Sequence, residues 1–195
     1  VEIERKYDAD EGTPLPDWSS LPDVASTGEP ELRELDARYY DTAEYALASA
    51  GYALRRRSGG PDAGWHIKGP RVGGGRPEEH WPLGDDAAIP DAVRAALADV
   101  TDADLRLIAR ILNTRTAYAL RATDGGVVAE FVDDHVTATD VHTGVVRSWR
   151  EWEIELGPAA PADPRAFFAA VEQAVLAAGG RAAASDSKLA RALGY

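Results

Sequence analysis

The sequence contains no cysteine. That excludes a disulfide framework, a thiolate nucleophile and any metal site built on sulfur. No apolar run approaches the ~20 residues that a membrane-spanning helix needs, and no secretory leader is visible. These absences fit a cytoplasmic protein without membrane contact. Histidine is sparse: His66, His80, His135 and His142 lack zinc-site spacing and read as surface or satisfied residues. Positive charge is outweighed, with 33 acidic against 21 basic residues and a net charge of −12, so a nucleic-acid binder is not expected. Lysine is scarcer still. Lys6, Lys68 and Lys188 stand alone among the 21 basic residues, the rest being arginine. In an Ala- and Arg-rich chain this looks like a coding bias, and the three survivors raise the question of why arginine was not used. An ammonium meets phosphate as a compact point charge, where a guanidinium needs room for its fork.

What is present is ordinary globular material: 195 residues, 45% hydrophobic and 28% charged. The length predicts one domain over residues 1–195. Residues 8–31 are proline-rich and read as loop. Strand patterns follow at 32–41, at 51–58 and 64–70 around the turn "GGPDAG", and in "GGGRPEEHWPL". Asp41 could cap a short helix closed by Gly51. "PDAVRAALADV" and "DADLRLIARIL" show helical periodicity, and "NTRTAYALR" through "VRSWREWEIEL" alternates as strands. "DPRAFFAAVEQAVLAAGG" is a marked helix with Phe167, Val171, Ala174 and Val175 on one side. About eight strands and three or four helices give an α+β fold dominated by antiparallel sheet. An open sheet would leave two edges to protect, and closure removes them.

Charge alternates along the strands. In "VEIERKY" Glu2, Glu4 and Lys6 share one face; in "EWEIEL" Glu151, Glu153 and Glu155 do the same. Arg55 and Arg57, Lys68, Arg76 with Glu78, Arg115, and Glu130 with Asp134 continue the pattern. A sheet with its polar side in water accounts for any one strand. Three glutamates at i, i+2 and i+4 are harder to place. Carboxylates about 7 Å apart repel by roughly 0.6 kcal/mol in water but about 2.4 kcal/mol at an effective dielectric near 20. Inside a barrel such a row needs a counter-cation. Helices with apolar sides would cover the outside, leaving a charged lumen whose carboxylates suit a hard divalent ion and whose Arg and Lys suit phosphate.

The ordered set Glu2-Ile3-Glu4-Arg5-Lys6, "YYDT" (39–42), "LRRR" (54–57), "IKGP" (67–70), "RPEE" (76–79), "TR" (114–115), "EFVDD" (130–134), "EWEIEL" (151–156) and "SKLARAL" (187–193) resembles the CYTH family of triphosphate tunnel metalloenzymes. The resemblance implies a closed eight-stranded antiparallel β-barrel with a charged interior and helices packed outside. It implies a triphosphate-containing small molecule as ligand and Mg²⁺ or Mn²⁺ as cofactor. By position, Glu2, Glu4, Glu153 and Glu155, with Glu151 and Asp134 beside them, would hold metal. Lys6, Arg55, Arg57, Lys68, Arg76, Arg115 and Lys188 would contact phosphate, and Glu2, Glu4 and Lys6 would be catalytic. A bulge would exchange Asp134 for Asp133. Lys188, in a C-terminal helix or turn, would close one end of the tunnel. "SKLARALG" matches versions that carry a helical CHAD domain, in the same or a separate chain. The implied activity is metal-dependent hydrolysis of a triphosphate. The alternatives are an adenylate cyclase of the same fold and a non-catalytic polyphosphate or nucleotide-binding module. Trp65, Trp81 and Trp149 are read as core or rim packing before substrate stacking. "GGG" at 73–75, followed by Arg76 and Pro77, is read as a flexible turn and not a phosphate loop.

Overall fold

The computed structural model describes residues 1–195. Ten strands form one antiparallel sheet. β1 (Glu4–Ala9), β3 (Glu31–Asp41), β4 (Ala53–Ser58), β5 (Gly64–Lys68), β6 (Glu78–Trp81), β7 (Arg106–Arg121), β8 (Val127–Asp140) and β9 (Val146–Leu156) carry it, and β2 (Ser26–Thr27) and β10 (Arg181–Ala182) are two-residue additions. Their order is β10-β1-β9-β8-β7-β3-β4-β5-β6, with β2 on β7.

The sheet is open, which corrects the expected closed eight-stranded barrel. No ladder joins its flanks. A single bridge does: the amides of Glu2 and Arg76 each donate to the other's carbonyl at 3.0 Å, just ahead of β1 and β6. Pro77 and Pro82 bracket the four-residue β6, and a proline cannot donate to a ladder. Gly75 lets the two segments approach, since a Cβ there would stand 2.9 Å from the Glu2 carbonyl oxygen.

Two of the three hydrophobic clusters lie outside the sheet's concave face. Phe167, Val171 and Val175 of α3 (Arg165–Ala178) pack on Tyr7, Phe131, Trp152 and Ile154. Each such side chain stabilises by about 1.5–3 kcal/mol on burial. Leu47 of α1 (Ala46–Ser49) and Val93 of α2 (Asp91–Ala96) cover Leu54, Trp65 and Ile67. Asp41 caps α1 from a distance, accepting from the amides of Leu47 at 2.9 Å and Ala48 at 3.0 Å.

The third cluster corrects the expected interior. Ala37, Tyr39, Ile111, Val136 and Ala138 face inward and are covered by Leu189, Ala192 and Leu193 of or beside α4 (Lys188–Ala192). The lumen is therefore part ionic and part apolar, and α4 packs into it instead of outside. Ser187 caps α4, its hydroxyl accepting from the Ala190 amide at 3.0 Å. No helix covers the outer side at Arg110, which donates to Asp36 at 2.7 Å in a half-exposed pair.

"DADLRLIARIL" is not a helix: residues from Arg106 on belong to the 16-residue β7. The register slips where Tyr39 pairs with Ala109 and Tyr40 with Leu107, so Ile108 is an extra residue. That bulge puts Ile108 in the same cluster as Ile111, giving a strand the i, i+3 spacing of a helix. No helix is long and apolar enough to cross a membrane.

Candidate active site

The curled sheet encloses a cavity of about 840 Å³. Alternation along β1, β4, β5, β7 and β9 turns one charged row from each strand into it. Glu2, Glu4, Lys6, Arg55, Arg57, Lys68, Arg76, Arg115, Glu153, Glu155 and Lys188 all line it. All three lysines of the chain are among them. Asp134 and Glu151, expected as metal ligands, are not on its wall; both are buried behind it. Asp134, and not Asp133, shares the inward face: Asp133 binds Arg150 at 2.8 Å and accepts from the Trp152 indole at 3.1 Å on the outer side.

Ion pairs organise the deep end. Arg115 forks onto Asp134 at 2.7 and 2.8 Å and reaches Glu153 at 3.3 Å. Lys188, arriving from α4, lies 2.8 Å from Asp134, 3.4 Å from Glu151 and 2.5 Å from Glu153. Lys6 completes the cluster, 2.6 Å from Glu153 and 3.4 Å from Glu4. Burial pushes the Glu153 carboxyl up, but Lys188, Lys6 and Arg115 outweigh it and hold the group well below the usual carboxylate range. Asp134 is brought to about 2 in the same way, Lys188 and Arg115 outweighing its burial. The same contacts raise Lys188 and Arg115 above their ordinary values against the pull of burial. Glu151 goes up instead: burial and the Glu153 charge outweigh Lys188.

The mouth holds more carboxylate than cation. Glu4 stands opposite Glu155 in the β1–β9 ladder, a like-charge pairing that is destabilising. Burial first, then Glu2 and Glu4, raises the Glu155 carboxyl to about 7. Glu2 is also raised, by burial and by the neighbouring Glu78 carboxylate. Lys68 lies 2.8 Å from Glu2 and 3.5 Å from Glu78. Glu78, despite burial, is held low by His66, which binds its Oε1, while its buried Oε2 has no hydrogen-bond partner.

The cations on the opposite wall are less paired. Arg57 meets only an exposed Asp62 at 3.6 Å. Burial, Arg55 and Arg115 bring its guanidinium down to about 10. The buried Nε atoms of Arg55 and Arg57 lack partners. Tyr39 is lowered, the Arg55 guanidinium outweighing its burial. Arg76 donates to the Gly69 carbonyl at 2.6 Å, fixing its stem at the rim.

The lumen is thus mixed in sign and not basic. It is suited to a polyanion together with a cation. The donor set at the mouth fits a hard divalent ion: oxygen-only, carboxylate-rich, with a raised Glu155 and a Glu78 oxygen that has no hydrogen bond and only Lys68 at 3.5 Å. No three carboxylates stand together at ligating distance in this arrangement, because Lys6 and Lys68 draw Glu4 and Glu2 to themselves.

Sequence reasoning left Glu78, Tyr39, His66 and Asn113 out of the site, although all line the cavity. Glu78 was within reach, two residues from Arg76 on the same strand face. His66, read as surface or satisfied, is satisfied but on the cavity wall, between Glu78 and the Asp62 carbonyl. Trp65 is wholly buried in the core, as expected.

Comparison with known proteins agrees with this geometry. The sequence model described as the CYTH domain matches residues 1–192. The chain is 36% identical over 209 residues to the uncharacterised proteins MT2285 and Rv2226 of two Mycobacterium tuberculosis strains. It aligns over 100% of its own length and spans 40% of theirs. Among solved structures it is similar in fold to PH1819 of Pyrococcus horikoshii (TM-score 0.59, 17% identity, 99% and 98% of the two chains). It is also similar to a proposed adenylate cyclase of Bacillus halodurans (0.60, 18%, 98% and 96%). A third is HpAC1 of Hippeastrum, a proposed adenylyl cyclase described as having a dominant triphosphatase activity (0.53, 19%, 97% and 94%).

Proposed function

This chain belongs to the CYTH family, and from that premise we propose that it hydrolyses a triphosphate with a divalent cation, Mg²⁺ or Mn²⁺, as cofactor. The observation that supports this most is one cavity lined by seven Arg and Lys side chains together with Glu2, Glu4, Glu78 and Glu155. Arg55, Arg57, Arg76 and Lys68 bind non-bridging phosphate oxygens and spread the ligand's charge along one wall. Lys6, Arg115 and Lys188 are held by Glu153 and Asp134 at fixed positions, so their positive ends need no reorganisation as charge moves to the leaving diphosphate. Glu2, Glu4, Glu155 and Glu78 would hold the cation. When bound, it neutralises phosphate charge and supplies an acidic water. A carboxylate of the Glu4–Glu155 pair then orients the attacking water in line with the terminal phosphorus.

The test is phosphate release from tripolyphosphate, thiamine triphosphate and ATP, each with Mg²⁺ or Mn²⁺. Orthophosphate is the expected product, and Glu4→Gln should lower kcat severely. Equal turnover in EDTA would remove the cation from the reading. Cyclic AMP from ATP would replace hydrolysis with cyclisation, and tight binding without turnover would make the protein a binding module.

A further inference from the structure

The outer face of the sheet is covered at both flanks and bare between them. α3 packs over β1, β8 and β9, while α1 and α2 cover β4 and β5. The strip between stays exposed at Arg110, Leu112, Thr137 and Ser148, and the strand registers fix what it presents. Arg56 of β4 stands opposite Arg38 of β3, and Arg38 opposite Arg110 of β7. Thr139 and Val146 continue the row on β8 and β9. Three arginines thus lie side by side on strands about 5 Å apart, a relation in which like charges repel. Asp36, one row along β3, binds Arg110 at 2.7 Å, and Glu34 beyond it accepts from the Thr114 hydroxyl at 3.0 Å. Arg38 and Arg56 are left without a carboxylate of their own, and the Arg56 Nε is buried without a partner. On the same strip Leu112 is 44% and Val146 59% exposed. An acidic chain therefore carries one basic, partly apolar strip about the width of a helix.

The complement is present in the same chain. Residues 85–104 hold six aspartates and one arginine, and all six aspartates are exposed. α2 runs through this segment with Asp91 in its first turn. Its outer side shows Ala92, Ala95 and Ala96, small enough to let the helix lie close on a sheet. Asp99, Asp102 and Asp104 follow its end, where the helix dipole disfavours acids. We propose that copies of this chain associate head to tail, the acidic α2 segment of one lying on the Arg56–Arg38–Arg110 strip of the next. Its aspartates meet Arg38 and Arg56 in charge-assisted hydrogen bonds, and its alanines cover Leu112 and Val146. A free anion would serve the arginines and leave those apolar side chains in water. The two surfaces differ, so each pair keeps one strip and one helix open to a further copy. A six-residue helix covers less than the roughly 800 Å² per partner of a stable interface, so the association is reversible and weak. Nothing in this contact involves the cavity.

The experiment is sedimentation velocity on the whole chain, from micromolar to near-millimolar protein, in about 0.15 M and about 1 M NaCl. At the lower salt, repulsion between two acidic chains is screened beyond about 8 Å while contact pairs persist. The proteins are wild type, a strip variant (Arg38→Gln with Arg56→Gln) and a helix variant (Asp99→Asn with Asp102→Asn). The strip variant loses a repulsion, so its melting temperature should hold or rise. Wild type should gain mass with concentration at the lower salt and not at the higher. Each variant alone should associate about tenfold more weakly or worse. Mixed together they should form a 1:1 dimer with wild-type affinity that grows no further, because each keeps the surface the other has lost. A wild type that stays monomeric overturns the proposal. So does association that survives about 1 M salt or both pairs of substitutions, and so do variants that remain apart when mixed.

Discussion

Glu4 and Glu155 face each other across the β1–β9 ladder, two carboxylates in register on the cavity side. Glu2 adds a third charge, and burial leaves Glu155 at about 7. The arrangement is unfavourable by itself, and under the proposed function a shared divalent ion would relieve it.

The first prediction concerns pH. Glu155 is raised in the folded state from 4.5 to about 7, so folding takes up a proton between those values. Stability without divalent ions is therefore greatest below about pH 4.5 as far as this group is concerned, and is lost as pH rises towards 7. After allowance for solvent screening at a partly exposed site the loss is about 1–2 kcal/mol. Melting curves from pH 5 to 8 should show the decline in wild type and not in Glu155→Gln. Millimolar Mg²⁺ or Mn²⁺ should flatten it.

Asp134 gives the opposite sign. Its folded carboxyl lies at about 2, below the ordinary 3.8. The stability it adds is present above 3.8 and is lost as pH falls towards 2. Asp134→Ala strips Arg115 and Lys188 of one of their two shared partners, leaving Glu153, and should cost about 3–5 kcal/mol in urea unfolding. Because Asp134 is not on the cavity wall, divalent affinity in the variant that remains folded should change little. A large, selective loss of metal binding would instead make Asp134 a ligand.

Arg57 should trade stability for binding. It is buried among like charges, with an unpartnered Nε and a single exposed carboxylate nearby. Arg57→Met keeps most of the volume and removes the repulsion. We expect an unchanged or higher melting temperature, and tripolyphosphate binding weakened by about tenfold or more through loss of a charge-assisted contact. A lower melting temperature with intact binding would show that the residue is structural.

The outer packing should be separable from the chemistry. Phe167 is 1% exposed in the cluster under α3, on the far side of the sheet from the cavity. Phe167→Ala should cost about 3–5 kcal/mol, and the folded fraction should bind tripolyphosphate with wild-type affinity.

Much of this site could be read from the chain. A strand sends alternate residues to one side, so Glu2, Glu4 and Lys6, or Glu153 and Glu155, had to share a face wherever the strand lay. The scarcity of lysine marked Lys6, Lys68 and Lys188, and all three reached the same cavity. Alternation failed at Ile108, where a bulge shifts the register by one residue, and the register shifts again between Leu120 and Arg121; the Ile108 bulge reads in the sequence as a helical i, i+3 spacing because its cause is the pairing of Tyr39 and Tyr40 on another strand. The α4 helix was legible as a closure, but its apolar side was not legible as part of the lumen. That depended on Val136 and Ala138 lying inward beyond Asp134 on β8.

The sequence alone determined which side chains stand together on each strand, because that follows from the two-residue repeat of an extended backbone. Only the tertiary structure decided how far the sheet curls, that one Glu2–Arg76 bridge and not a ladder spans its flanks, and which acids meet cations before they meet solvent. Those outcomes are set by long-range pairing and by the dielectric inside the cavity. It is why Glu153, saturated by three cations, and Glu155, crowded by two carboxylates, differ so widely two residues apart on the same strand.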